Sequence, residues 1–271
     1  MDLVLNMEKT RVLIVDDSAV VRSVITELLA LDPSIEVVGS AVDPYDARDK
    51  IKLLKPDVLT LDIEMPKMDG ITFLKNLMKL NPLPVVMLST LTHEGADATL
   101  QALELGAIDY IAKPSVGESD QALEYFQTEL VNKVKAAASS ATKLKFRRGA
   151  EAQPVKLNQV QAIKLQNRLI AIGSSTGGTE ALHDILARLP ASMPPIIVTQ
   201  HIPASFSERF ASRLNRNTEL TVVEAKQGDV LKPGGVYIAP GDYHLVIKRH
   251  GHEFVCHLDQ SGPVNRHQPS V

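Results

Sequence analysis

From Arg11 to about Ser140, short runs of aliphatic and β-branched residues alternate with stretches in which apolar positions recur every three or four residues. The runs are "RVLIV", "IEVVGSA", "DVLTL", "PVVML" and "IDYIA". Between them, Val21, Ile25, Leu28 and Leu29 follow helical spacing behind a capping Ser18, and Ile71, Leu74, Leu77 and Met78 do so after Gly70. Five strand-helix units in succession predict a parallel sheet with helices on both faces: an α/β, doubly wound (βα)5 domain of flavodoxin type over residues 1–140.

The periodicity then lapses. Residues 141–168 carry seven Lys or Arg against one Glu, which predicts a basic linker, read either as a solvated connector or as a segment that docks on an acidic surface. A second α/β pattern opens at Leu169 with strand "LIAIG" and the turn "SSTGG". A helix with Leu182, Ile185, Leu186 and Leu189 on one face follows, then strand "PIIVTQ". Beyond it the pattern predicts a helix over 204–214, strands in "LTVVEA" and "GVYIAP", and a hairpin "HLVIKRHGHEFVCHL" turning at His250 and Gly251. Residues 169–271 therefore read as a second doubly wound, largely parallel domain, with no internal repeat.

Composition narrows this picture only slightly. A chain of 271 residues that is 44% apolar suits two globular domains. A formal net charge of −3 gives no general bias toward DNA or anionic membrane. The single Cys256 excludes an intramolecular disulfide and a cysteine-built zinc site. With no signal-peptide h-region and no apolar run of about 18 residues, the expected location is cytoplasmic, without direct membrane insertion.

The chemistry of the first domain lies at its strand ends, which a doubly wound sheet brings to one edge. Asp16 and Asp17 end the first strand, Asp62 the third, Ser89 the fourth, and Lys113 follows the fifth. Three carboxylates at one edge repel one another, and a hard divalent cation such as Mg²⁺ would neutralise them. A lysine and a hydroxyl facing the same point would bind phosphoryl oxygens, with Asp62 as a candidate covalent nucleophile. The motifs "VDDS", "LDIEMPKMDG", "MLST" and "YIAKP" resemble the receiver domain of two-component response regulators over nearly all of residues 10–135. That resemblance implies Asp62 as phospho-acceptor and Asp16 and Asp17 as acidic Mg²⁺-site residues. The backbone carbonyl of Glu64 would be a further ligand, Ser89 and Lys113 phosphate contacts, and Tyr110 an aromatic that reorients on phosphorylation.

"GSSTGG" in the second domain lacks the Gly-Lys-Ser/Thr ending of a P-loop and the third spaced glycine of a dinucleotide fingerprint. It does match G-x-S-x-G between a strand and a helix, the setting in which a sharp turn presents a serine beside helix N–H donors. His201 directly follows the next strand and so falls on the same edge as Ser175. A serine beside an imidazole can be deprotonated as it attacks a carbonyl. The residues alone leave three readings open: a hydrolase, a phosphate or sugar-phosphate binding loop, and a structural glycine turn.

The order of parts, with "LIAIGSSTGGTEAL", "VTQHIP", "GGVYIAPGDYHL" and "GPVNRHQPSV", closely resembles the chemotaxis receptor methylesterase, the CheB family, across essentially the whole chain. The resemblance implies Ser175 as nucleophile, His201 as general base and Thr176 beside them in the turn. It implies no cofactor for the esterase. The substrate would be glutamyl methyl esters on methyl-accepting chemoreceptors, hydrolysed to glutamate and methanol, with deamidation of receptor glutamines at the same site. The phosphodonor would be the chemotaxis histidine kinase, and no DNA is involved. The rival reading is a response regulator whose output is binding, to an acidic protein or nucleic acid, with a non-catalytic phosphate-binding second domain.

His244, His250, His252 and His257 around the hairpin have a spacing that suits either a metal site or solvated strand positions. His267 is a candidate substrate contact. The family completes its triad with an aspartate in a "GMGND"-like motif, and no residue after Ser175 matches it; Asp184, Asp229, Asp242 and Asp259 fall outside that pattern. The expectation is a chain cut before that acid, its esterase domain incomplete and weakly active or inactive.

Overall fold

A computed structural model of the chain describes residues 9–89, 93–113, 120–140, 168–251, 253–265 and 267–270. The expected linker, Arg168 excepted, lies outside the described residues, as do Pro114, His252 and Arg266. The chain divides into two compact units, Met1–Gly149 and Ala150–Val271.

In the first unit the strands are β1 (Thr10–Val15), β2 (Ile35–Ala41), β3 (Val58–Asp62), β4 (Val85–Ser89) and β5 (Asp109–Ala112). The helices are α1 (Ala19–Ala30), α2 (Pro44–Leu54), α3 (Gly70–Leu80), α4 (His93–Glu104) and α5 (Asp120–Ser139). All five strands are parallel, in the order β2-β1-β3-β4-β5. Val12, Ile14, Val58, Val86 and Leu88 form a buried cluster with Ile25 and Leu29 of α1 and Phe126, Leu130 and Val134 of α5. Burial on both faces explains why these strands read as continuous apolar runs rather than alternating ones. The helix starts follow local chemistry: Ser18 Oγ accepts the Val21 N–H, and Asp43 accepts the Tyr45 and Asp46 N–H groups behind a proline in the first turn. The buried face of α3 is Phe73 together with Leu74 and Leu77 of the expected stripe. Asp69 caps the helix, and Ile71 and Met78 fall at the half-buried margin.

The register fixes where the strands end. Val15 pairs with Leu61, Asp62 with Leu88, and Ser89 with Ala112. Asp16 and Asp62 therefore leave one sheet edge at the same height, Ser89 one residue higher and Lys113 two.

In the second unit, β6 (Ile170–Ser174), α6 (Gly178–Leu186), β7 (Ile196–Gln200), α7 (Ala204–Arg216), β8 (Thr221–Glu224) and β9 (Gly235–Ile238) build a parallel sheet of order β6-β7-β9-β8. An antiparallel hairpin, β10 (His244–His250) and β11 (Glu253–Asp259), follows, with Gly251 at positive φ in its turn. Cys256 and Tyr237 pack with Leu245 and Ile247, seating the hairpin against β9. The helix after "SSTGG" is shorter than the sequence suggests. It ends at Leu186 in i→i−3 turns ahead of Pro190, and Ile185 is exposed while Leu182 and Leu186 are buried.

Candidate functional site

The β1–β3–β5 edge gathers the acidic residues. Carboxylate oxygens of Asp16, Asp17 and Asp62 lie within 4.8 Å of one another; Asp16 and Asp62 are buried and Asp17 is exposed. Lys113 Nζ sits 2.8 Å from both Asp16 Oδ2 and Asp62 Oδ1. Burial pushes the Asp62 carboxyl up to about 6, and Lys113, with an N–H from Glu64, only partly offsets this. Burial alone would depress the Lys113 ammonium, but its hydrogen bonds and charge pairing with the two aspartates hold it above its ordinary value. Asp17, Asp62, Glu64, Gly95 and Lys113 line a cavity of about 270 Å³. Its donors are oxygens, suited to a hard cation, and a second positive charge would relieve the buried carboxylates.

The loop that carries Glu64 depends on Gly70. A Cβ there would lie 1.9 Å from the Asp62 carbonyl oxygen, and the Gly70 N–H donates to Ile63 O at 2.8 Å. Ser89 is buried; its Oγ is 2.6 Å from Thr99 Oγ1 and 3.3 Å from Gly95 O on α4. Tyr110 is buried too. Burial, then Asp109 and Glu129, raises its phenol well above the ordinary value, and Lys133 Nζ lies 5.1 Å from the ring centroid.

In the second unit the strand-turn-helix setting of Ser175 is as the pattern implies: β6 ends at Ser174 and α6 starts at Gly178. Gly177 holds φ +72, and a Cβ on Gly178 would lie 2.2 Å from Gln200 Oε1 and 2.7 Å from Ser174 Cβ. The paired glycines thus serve two distinct needs, a left-handed turn and a close approach. Ser175 is exposed, and its Oγ lies 3.1 Å from His201 Nδ1. His201 leaves β7 beside it, its N–H donating to Ser174 O at 3.3 Å, and its Nε2 is buried. Thr176 is half-buried in the same turn.

His267, the candidate substrate contact, stacks its ring on His201, centroids 3.8 Å apart and planes 9° off parallel. Of the described hairpin histidines, His250 is exposed and the other two make local hydrogen bonds. His244 bonds Gly262 O and the Ser270 N–H, and His257 Nδ1 lies 3.1 Å from Gln227 Nε2. Among the described residues the one metal-capable group besides Asp16–Asp17–Asp62 is Glu180, His183 and Asp184 on α6, with no hairpin histidine in it. The four aspartates outside the family's acid motif have local contacts. Asp229 accepts the Lys226 N–H, Asp259 accepts from Ser261, Asp184 lies 3.7 Å from the adjacent His183, and Asp242 donates its own N–H to Gln268 O. The sequence reading missed Gln200 entirely: nothing marks a glutamine at a strand end as functional.

Two structures in series define the class: a (βα)5 unit with an acidic, lysine-bearing strand edge, and an α/β unit with a serine-histidine pair on adjacent parallel strand ends. The family model described as response regulator receiver domain matches residues 12–124, and that described as CheB methylesterase matches residues 170–271. The chain is similar to a protein-glutamate methylesterase/protein-glutamine glutaminase of Vibrio vulnificus, 55% identical over 268 residues, covering 97% of this chain and 75% of that protein. It is similar to others of Xanthomonas campestris pv. campestris (52% identical; 96% and 74% covered) and Hydrogenovibrio crunogenus (48%; 98% and 78%). The chain belongs to the CheB methylesterase family. No described helix is long and apolar enough to cross a membrane.

Proposed function

We propose that this chain is a phosphorylation-regulated protein-glutamate methylesterase of chemotaxis that also deamidates glutamine. It would be built as a receiver over 1–140, a basic linker over 141–168 and a catalytic domain over 169–271. The observation that carries the catalytic reading is the 3.1 Å contact between Ser175 Oγ and His201 Nδ1. Ser175 Oγ attacks the carbonyl carbon of a glutamyl methyl ester while its proton passes to His201 Nδ1. The tetrahedral intermediate collapses, the C–O bond to methoxide breaks, and His201 returns the proton so that methanol leaves. Water then attacks the Ser175 acyl ester as its proton passes to His201, the acyl C–Oγ bond breaks, and His201 returns the proton to Ser175 Oγ as glutamate leaves. With a primary amide the same steps expel ammonia. No step calls for a metal. Thr176 stands in the turn beside Ser175, where it would contact the bound substrate.

In the receiver, Asp62 is the proposed phospho-acceptor. Asp16, Asp17, Asp62 and the Glu64 carbonyl would hold Mg²⁺, which would neutralise charge on the transferring phosphoryl group. Lys113, released from one of its aspartate contacts, would bind a phosphoryl oxygen. Ser89 would turn from Thr99 toward another, and Tyr110 would follow it. The added charge of roughly −2 biases the receiver between two states that regulate access to the esterase. The substrates would be the cytoplasmic helices of methyl-accepting chemoreceptors, the phosphodonor would be a chemotaxis histidine kinase, and the protein would act in the cytoplasm. The test is methanol release from methylated receptor membranes. Ser175→Ala should abolish it, and undiminished release by that variant would overturn the reading.

A further inference from the structure

We propose that Gln200 is a positioning residue for the ester- and amide-cleaving site, its side-chain amide fixing the distance between Ser175 and His201. This deepens the reading above and rests on Ser175 as nucleophile.

Gln200 is the last residue of β7 and is 4% exposed. All its polar capacity points into the gap between the two strand ends. Ser174 Oγ donates to Gln200 Oε1 at 2.7 Å. Gln200 Nε2 donates to Ser175 O and to His201 O, each at 3.2 Å. Two carbonyl oxygens face one end of the group and can only accept, so that end must be the NH₂, and the orientation of the amide is determined. One side chain thus ties the main chain of the nucleophile to the main chain of the base.

The surroundings leave the amide no alternative position. Gly178 packs against it so closely that a Cβ would approach Oε1 to 2.2 Å. The Gly178 N–H also donates to Ser175 O at 2.7 Å, so that carbonyl accepts from both the helix start and Gln200. The backbone bond from the His201 N–H to Ser174 O is long, 3.3 Å, and alone holds the two loops weakly. Buried, satisfied polar groups of this kind set geometry because leaving one partner unmade is costly. The reacting contact itself is exposed, so the precision has to come from beneath it.

The test uses the full-length protein with Gln200→Met, which keeps approximate volume and removes every hydrogen bond, and Ser174→Ala, which removes one. Misplacing a reacting group by about 1 Å costs about a hundredfold. Gln200→Met is therefore expected to lower kcat about a hundredfold with KM within twofold, and Ser174→Ala to lower it about fivefold. Phosphonylation of Ser175 by a small alkyl phosphonofluoridate, which needs no receptor-binding surface, should slow in the same proportion as kcat. Wild-type kcat in either folded variant, or a loss expressed in KM with unchanged phosphonylation, would overturn the proposal. Should Gln200→Met fail to fold, the Ser174→Ala result decides alone. Ser175→Ala run alongside separates the two claims. If it retains activity, the nucleophile assignment fails; if it is inactive while the Gln200 and Ser174 variants match wild type, only the positioning role fails.

Discussion

The imidazoles of His201 and His267 lie face to face, 3.8 Å between centroids and 9° from parallel, across 66 residues of chain. His267 is held by a reciprocal pair of 3.0 Å backbone bonds with Val264, so the ring rests on a turn that is itself anchored. A flat neighbour on one face of His201 restricts ring rotation, leaving Nδ1 directed at Ser175. His267→Ala should therefore lower kcat about tenfold, an order of magnitude less than outright misplacement of a reacting group, with KM little changed. His267→Phe, which keeps a stacking face, should lose about threefold or less. A rise in KM with the Phe variant would indicate a substrate contact instead.

Asp62 labelling is the direct test of the receiver. With a small phosphodonor and Mg²⁺, the chain should acquire acid-stable, base-labile phosphate, and Asp62→Asn should acquire none. Lys113→Ala should still label but lose the link between label and esterase rate, because the lysine that bridges Asp16 and Asp62 reports the phosphoryl group to the fold. Label retained on Asp62→Asn would redirect the search to Asp16 or Asp17.

The same carboxyl sets a pH dependence. Burial raises Asp62 to about 6, above the ordinary carboxylate value near 4. Between those values the folded, metal-free receiver holds a proton that the unfolded chain has released, so this group's contribution to stability falls as pH rises through that window. A cation at the carboxylates competes with that proton. Mg²⁺ affinity, followed by the rise in Tm on adding the ion, should be full at pH 8 and fall as pH drops below about 6. A Tm increment independent of pH from 8 to 5 would place the ion elsewhere.

Much of this was legible because strand ends and turns write themselves locally. "VDDS", "LDIEMPKMDG" and the serine turn each sit where an apolar run stops, and a parallel sheet brings such stops to one edge. The same argument puts Ser175 and His201 on one edge, and they meet at 3.1 Å. Gln200 and the stacking of His267 were not legible. Gln200 acts through its side chain on residues of a neighbouring loop, and no period or motif encodes an amide aimed sideways. His267 carried a candidate role, but its partner lies in another segment that only the folded chain brings near. Ile185 and Leu189 misled for the opposite reason. Leu189 keeps helical spacing past the point where Pro190 and the preceding turns stop the helix, and Ile185, still inside it, faces solvent.

Gly70 offers a sharper structural test than any charged residue. Its position requires no side chain at all, because a Cβ would lie 1.9 Å from the Asp62 carbonyl, 3.0 Å from its carbon and 3.1 Å from Ile63 Cα, all main-chain atoms that cannot swing aside. Gly70→Ala must push the loop carrying Glu64 away from β3. The expected cost is about 3 kcal/mol of receiver stability, at the upper end for overpacking, measured by urea unfolding. Phosphate labelling at Asp62 should fall more than Tm does, since the loop lines the acidic cavity. A variant with wild-type unfolding midpoint would mean that the loop yields freely.

His244 is where the His267 argument can be pressed further. Its Nε2 lies 2.8 Å from Gly262 O, a carbonyl that can only accept, so Nε2 carries the proton and Nδ1 is left to accept the Ser270 N–H at 3.2 Å. One ring thereby pins both ends of the segment 262–270 to the start of β10, and His267 lies between the pins. If that segment acts on catalysis only by holding His267 against His201, then His244→Ala should lower kcat by about as much as His267→Ala. The double variant should be no worse than either, because both remove the same restraint. Independent effects would instead multiply, to about a hundredfold. The measurement is a double-mutant cycle on kcat. Multiplicative losses would assign His244 to the stability of the hairpin rather than to the placement of the base.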